Sequence, residues 1–347
     1  MELTFTTYRI QLHHTFGIAR SANDWYDVVF IYLKDRNLIG RGEAAPSLRY
    51  NESTERILSV LKQKVRFPED CSNRDVIWNY VLPQLKGIKA LEAAFSMALW
   101  DWWSQKNEKS VSEHLGMART EMPITSFTIA IGDLDEIGQK IEEAQPYTIL
   151  KVKLGTPNMD REIMTEIRRH TDKVIRIDAN EGWQPETAHH FCHWLADQNV
   201  EFVEQPFPAD QLEYTAALKE KSPLDIYADE NSMDSADIPQ IAHAFDGINI
   251  KLMKCGSLEE GKRMINLARF HDLKIMLGCM VESSVGITAA AQLAGKVNAA
   301  DLDGNLLINN DPYRGVTVED GRLVLPEGYG LGLSLDDSFG EKFNELK

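Results

Sequence analysis

Residues 148–155 read TILKVKLG, residues 174–180 VIRIDAN, residues 201–207 EFVEQPF and residues 226–230 IYADE. Each run is short and apolar, and a helix-like stretch separates it from the next. Strands alternating with helices predict parallel βαβ units. Working outward, the same rhythm starts at residues 126–132 (SFTIAIG) and continues through 247–252 (GINIKL), 274–279 (KIMLGC) and 298–304 (NAADLDG). Eight strands with seven helix-like intervals predict an α/β fold closed as a (β/α)8-type barrel of the TIM kind.

The chain before this series follows another pattern. Strand-like runs LTFTTYRIQL, DVVFIYLK and LIGRGEA come first, with a turn at Asp35-Arg36-Asn37. Helical patterns follow, the clearest being KALEAAFSMALWDWWSQK from Lys89, whose small and aromatic residues suit a buried helix. The expected organisation is an α+β domain over residues 1–120 and a barrel over 121–304. The loop-rich segment 305–347 is expected to return to the first domain.

Charge narrows the partners. The 347 residues carry 37 Lys and Arg against 53 Asp and Glu, a formal charge of −16. Such a surface repels phosphate backbones and anionic lipid, so neither nucleic acid nor a membrane is expected as a partner. Cys71, Cys192, Cys255 and Cys279 are widely spaced and form neither a zinc ribbon nor a disulfide framework. No stretch has signal-peptide or membrane-spanning character, and the expected location is cytoplasmic. A dinucleotide fingerprint after a strand is also absent.

Polar residues at the C-terminal ends of barrel strands face the active-site rim. The third strand ends in Asp178, the fourth in Glu204 and the fifth in Asp229, 26 and 25 residues apart, one strand–helix unit each. Three adjacent carboxylates repel one another unless a cation sits between them. Oxygen-only donors with room for water suit Mg2+. Lys151 and Lys153 are two apart on the second strand and share a face. If both point inward, each disfavours charge on the other and lowers its pKa, as a general base requires. Lys251 ends the sixth strand, across the mouth from the second, with the three carboxylates between.

The motifs Lys151-Val152-Lys153, Asp178-Ala179-Asn180, Glu204-Gln205-Pro206, Asp229-Glu230 and Asn249-Ile250-Lys251 resemble those of the enolase superfamily, within it the muconate lactonizing enzyme subgroup. The resemblance covers nearly the whole chain. It implies a modified barrel behind an α+β capping domain. It also implies removal of the proton α to a carboxylate, giving an enediolate held by Mg2+. By position, Asp178, Glu204 and Asp229 would be the metal ligands and Lys153 and Lys251 the acid/base pair. Lys153 would serve the (R) and Lys251 the (S) configuration, with Lys151 tuning Lys153 and meeting the enediolate.

The eighth strand narrows the reaction. Asp301 and Asp303, two apart, can both face the mouth, and they resemble the pair that holds the substrate α-ammonium in dipeptide epimerases. An acidic pair outside the metal ligands calls for a cation, which a dipeptide N-terminus supplies. Thr128 and Cys279 correspond to substrate-lining positions, and Glu282 is near the rim as a candidate for ordering a lysine. The family's mobile covering loop falls at residues 16–23 (FGIARSAN), where Arg20, the only cation, is a candidate substrate contact of open role. The expected activity is Mg2+-dependent inversion of the C-terminal residue of a short, Ala-first dipeptide, in cell-wall peptide turnover. N-acylamino acid racemase, o-succinylbenzoate synthase and cycloisomerase remain alternatives from the same subgroup. A retired barrel used as a binding scaffold is the non-enzymatic one. The identity of the second residue and assembly into a homo-oligomer are left open.

Overall fold

A computed structural model of the chain describes residues 1–18, 21–117, 119, 121–156 and 158–339, with the backbone alone at Lys296. Strands β1 (Glu2–Ile18), β2 (Ser21–Asp35) and β3 (Leu38–Ala44) form an antiparallel sheet in that order. The turn falls at Arg36-Asn37, between the paired Asp35 and Leu38, and Arg36 takes a left-handed φ of 56°. Val28 to Leu33 are buried without alternation, as in a strand covered on both faces.

Helices α1 (Thr54–Leu61), α2 (Arg74–Val81) and α3 (Lys89–Lys106) follow. Helix α3 is buried almost all round, because its alanines let neighbouring backbones come close. Gly40 and Gly42 of β3 complete that approach. A Cβ on either would sit 1.9 Å from the carbonyl oxygen of Ala98 or Ala94 in α3.

The barrel strands are β4 (Ser126–Ile129), β5 (Ile149–Lys153), β6 (Val174–Asp178), β7 (Val200–Glu204), β8 (Asp225–Ala228), β9 (Gly247–Ile250), β10 (Lys274–Gly278) and β11 (Ala299–Asp301). They pair in parallel in chain order, and every interval between them holds a helix, as the sequence rhythm predicts. Phe202, Tyr227, Met276 and Ala299 pack together inside, forming an apolar plug with Phe202 stacked on Tyr227. The polar side chains two residues further along the same strands therefore collect at the C-terminal end.

Closure between β11 and β4 is incomplete. Among the described residues a single backbone bridge, Thr125 to Ala300, spans that seam. Side chains do the rest: Ser126 Oγ donates to Asp301 Oδ1 at 2.7 Å, and the Leu302 N–H donates to Thr125 Oγ1 at 2.9 Å.

After β11 the chain runs along β1. The His13 N–H donates to the Leu307 carbonyl at 3.0 Å, and the Asn309 N–H to that of Gln11 at 2.9 Å. Further on, the Leu331 N–H donates to Asp101 of α3 and the Gly321 carbonyl accepts from Thr125. The same segment thus touches both sheet systems. The expected covering loop, residues 16–23, is described except at residues 19 and 20. Within it Phe16, Gly17 and Ile18 pair with Asn23, Ala22 and Ser21, extending the pairing of β1 with β2. The Ile131 N–H donates to the Gly17 carbonyl at 3.0 Å, joining β1 to the chain after β4. Arg20 lies outside the described residues. Among the described residues no helix is long and apolar enough to cross a membrane.

Candidate active site

Asp178 and Glu204 end β6 and β7 and stand opposite each other in register, and Asp229 follows the last residue of β8. One carboxylate oxygen of each lies within 4.8 Å of the others, and all three residues are buried. Among the described residues this is the one group of three or more possible ligands. Burial opposes charge on Asp178, yet Lys153 and then Lys151 hold its carboxyl well below the usual range. Asp229 is likewise held low against burial by Lys251 and Lys254. Glu204 goes the other way: burial, reinforced by Asp178, pushes it up. Its Oε1 accepts from Asn249 Nδ2 at 2.7 Å. Its Oε2 lies 2.7 Å from Lys151 Nζ but makes no aligned hydrogen bond. A buried carboxylate oxygen left in this state, beside two further carboxylates, fits the hard oxygen donor set of a divalent cation such as Mg2+.

Lysines stand on both sides of the triad. Lys153 Nζ is 2.7 Å from Asp178 Oδ2, and Lys251 Nζ is 2.9 Å from Asp229 Oδ2. Lys151 does not behave as its spacing from Lys153 predicts. Burial alone would lower its pKa, but Asp301, Glu204 and Asp178 surround it and hold it well above the usual lysine value. The nearest charges to Lys151 are these carboxylates, at 2.7, 2.7 and 3.1 Å. Lys251 is also held high, by Asp229 and Glu204 against burial.

The acidic pair on the last strand also departs from expectation. Asp301 does not wait for an external cation, because Lys151 already supplies one and Ser126 occupies its other oxygen. Asp303 lies past the strand, where its Oδ2 accepts from the Thr128 N–H at 2.6 Å. Burial and the neighbouring charge of Asp301 push the Asp303 carboxyl up to about 7. Thr128 thus meets Asp303 through its backbone. Cys279 donates its thiol to the Asp301 carbonyl at 3.3 Å. Glu282 is buried and takes a hydrogen bond from the Met280 N–H rather than from a lysine. Burial and then Glu43 push its pKa up to about 8, with Lys251 near enough to pull the other way.

Sequence reasoning missed Lys254 and Gln205. Lys254 is fully buried and donates to Asp229 Oδ1 at 2.5 Å and to the carbonyls of Asp229 and Asn249. Its one legible signal is a lysine among the apolar residues of LMKC, three positions after Lys251. Gln205 takes a left-handed φ of 39°, which costs a non-glycine residue energy unless neighbours hold it. Its amide does so, accepting from the N–H groups of Asp229 and Asn231 and donating to Phe207 and Asn231. That bridge fixes the chain between Glu204 and Asp229.

The chain matches the enolase C-terminal domain-like family over residues 134–339. It is 36% identical over 337 residues to the L-Ala-D/L-amino acid epimerase of Flavobacterium johnsoniae, covering 96% of this chain and 100% of that one. The structure is similar to the substrate-liganded L-Ala-D/L-Glu epimerase of Bacillus subtilis, with TM-score 0.89, 26% identity and coverage of 96% and 98%. It also resembles a dipeptide epimerase of Enterococcus faecalis complexed with Mg and L-Leu-L-Tyr, with TM-score 0.88, 29% identity and coverage of 96% and 99%. Family match, near-complete coverage and shared architecture agree: this chain belongs to the enolase superfamily, in its muconate lactonizing enzyme subgroup.

Proposed function

We propose that this protein is a Mg2+-dependent dipeptide epimerase that inverts Cα of the C-terminal residue. The observation that carries the reading is the pair of lysines, Lys153 and Lys251, paired with opposite members of one buried carboxylate triad. Asp178, Glu204 and Asp229 would hold the metal, which would bind the substrate carboxylate and offset charge developing there as Cα loses its proton. One lysine takes that proton from one face and the other returns a proton to the opposite face. Lys151, ion-paired to three carboxylates, keeps its charge and favours a negative substrate group. Asp303 receives the α-ammonium, and the arriving cation favours its charged form. Thr128 and Cys279 order Asp303 and Asp301 through hydrogen bonds, and Arg20 is retained as a candidate contact.

The simplest substrate of this kind is an Ala-first dipeptide, in keeping with a cytoplasmic role in cell-wall peptide turnover. Four free cysteines suit a reducing compartment. The test is a dipeptide library incubated in D2O with Mg2+ or with EDTA, read by mass spectrometry. Deuterium at Cα of the second residue, with Mg2+ alone, is the expected result. Faster turnover of N-acetylated dipeptides or of an o-succinylbenzoate precursor would overturn the reading in favour of a relative from the same subgroup. No turnover of any of them would favour a binding scaffold.

A further inference from the structure

We infer that the outer face of the barrel carries a second metal site, a two-histidine chelate for copper, nickel or zinc formed by His189 and His193. Both lie on the Pro185–Ala196 helix, between β6 and β7. That helix buries Ala188, Cys192 and Leu195. His189 and His193 each follow one of the first two by a single position, so they stand on the flank of the helix. His193 is exposed there and His189 partly so. Residues four apart on a helix are neighbours on its surface.

Geometry carries the site. The two Nε2 atoms are 3.1 Å apart. A divalent ion about 2.0–2.1 Å from each nitrogen, at bond angles from square to tetrahedral, needs those nitrogens roughly 2.9–3.4 Å apart. The rings stand at 80° with centroids 4.7 Å apart, so the nitrogens come together without the rings stacking. Charge favours the form that binds. Desolvation, then His193, His190 and Lys221, hold His189 below the ordinary imidazole value. The neutral ring, which offers a lone pair to a metal, is thus the form present at neutral pH. Lys221 repels an added cation as well, so the bonds to nitrogen, not the local field, supply the affinity.

The donor set decides which metal. Imidazole nitrogen suits Cu2+, Ni2+ and Zn2+, whereas the oxygen-only triad suits Mg2+. Among the described residues no third His, Cys, Asp or Glu ligand atom joins the pair within 4.8 Å, so water completes the coordination. The competing state is one hydrogen bond between the rings. A metal replaces it with two bonds at nearly the same nitrogen separation, and the helix need not move. The pair exists only while the helix does, so an ion bound there stabilises the folded chain.

The experiment titrates Mg2+-saturated protein with Ni2+ and Cu2+ by calorimetry and follows bound Cu2+ by electron paramagnetic resonance. Cu2+ should bind more tightly than Ni2+, the general order at nitrogen sites, and show couplings to nitrogen. His189→Gln and His193→Gln should each weaken Ni2+ binding by about ten-fold or more, because one of two tethered donors is lost. His190→Gln, next in sequence but outside the pair, should not. Over saturating Mg2+, Ni2+ should raise the urea midpoint of the wild type and not that of His193→Gln. Equal Ni2+ affinity in the wild type and either folded variant overturns the site, as does an equal loss in His190→Gln. Bound Cu2+ without nitrogen couplings overturns it too. The midpoint response to Mg2+ alone should be the same in wild type and His193→Gln, and its loss in the variant would overturn a site separate from the triad.

Discussion

Five carboxylates and four lysines share the upper end of one barrel, and each ammonium there is met by an acid. Asp229 holds two of the lysines, one on each oxygen. Such pairs are costly to break from one side, since the remaining charge stays buried. Lys153 and Lys251 differ from Lys151 in that each has a single acidic partner within salt-bridge distance. If they serve opposite faces, Lys153→Ala and Lys251→Ala should each abolish net epimerisation. Each should keep Cα exchange in D2O for one stereoisomer only, and for opposite ones. Near wild-type interconversion by either variant would exclude a two-base reaction. Asp303 is the one of the five with no lysine in salt-bridge range among the described residues. A charge-assisted bond from it to an ammonium is worth about 1.5–3 kcal/mol. Asp303→Asn should then lower kcat/KM for free dipeptides by about 10- to 150-fold. It should also narrow the difference between free and N-acetylated substrates, and an unchanged difference would remove the ammonium role.

Strand β3 carries two consequences for stability. Gly42 meets the Ala94 carbonyl so closely that an added methyl must move α3. Overpacking of this kind costs about 1–3 kcal/mol, so Gly42→Ala should lower the unfolding free energy by that much, read as a lower urea midpoint with the slope unchanged. Glu43, next in β3, accepts from the N–H groups of Ser283 and Gly286 and from Ser283 Oγ, at the start of the Ser284–Ala291 helix. Burial pushes it up to about 7, while Glu282 beside it reaches about 8. An acid whose pKa is higher folded than unfolded binds its proton more tightly when folded. Its contribution is complete below the unfolded value near 4.3 and is lost as pH rises toward 8. Stability to urea should thus fall between pH 5 and pH 8 on account of these two groups. Glu282→Gln should flatten that fall, and an unchanged slope would show that Glu282 does not carry it.

At the scale of the molecule, the sheet, the barrel and the chain after β11 meet around one end of the barrel. Arg49, beside α1, pairs with Glu181 after β6 at 2.8 Å, and Gly17 of β1 bonds to Ile131 after β4. A cation bound by the triad would tie together three strands of this assembly. Binding to the folded form alone stabilises it by about 2.7 kcal/mol at a concentration one hundred times Kd. Mg2+ should therefore raise the urea midpoint, EDTA should reverse the rise, and Glu204→Gln should remove the response while the protein remains folded. A wild-type midpoint indifferent to Mg2+ would count against the triad as a metal site.

The eight barrel strands were readable from the sequence because burying both faces of a strand forces a short apolar run, and helices space those runs evenly. Asp178, Glu204 and Asp229 were readable for a related reason: parallel strands bring equivalent ends to one rim. Lys153 and Lys251 followed from the same register. What the sequence could not yield depends on which distant groups touch. Lys151 meets Asp178 and Glu204 from the next two strands and Asp301 from 150 positions away across the closing seam, and together they make it a charge held by acids instead of a base lowered by Lys153. The same closure separates Asp301 from Asp303, two residues that alternation alone makes equivalent. Lys254 looks like a stray lysine in an apolar stretch until a turn of helix swings it under Asp229. Strand periodicity is set by the local backbone and so is written along the chain. Charge state is set by the nearest partner in space, and that is decided by the tertiary structure.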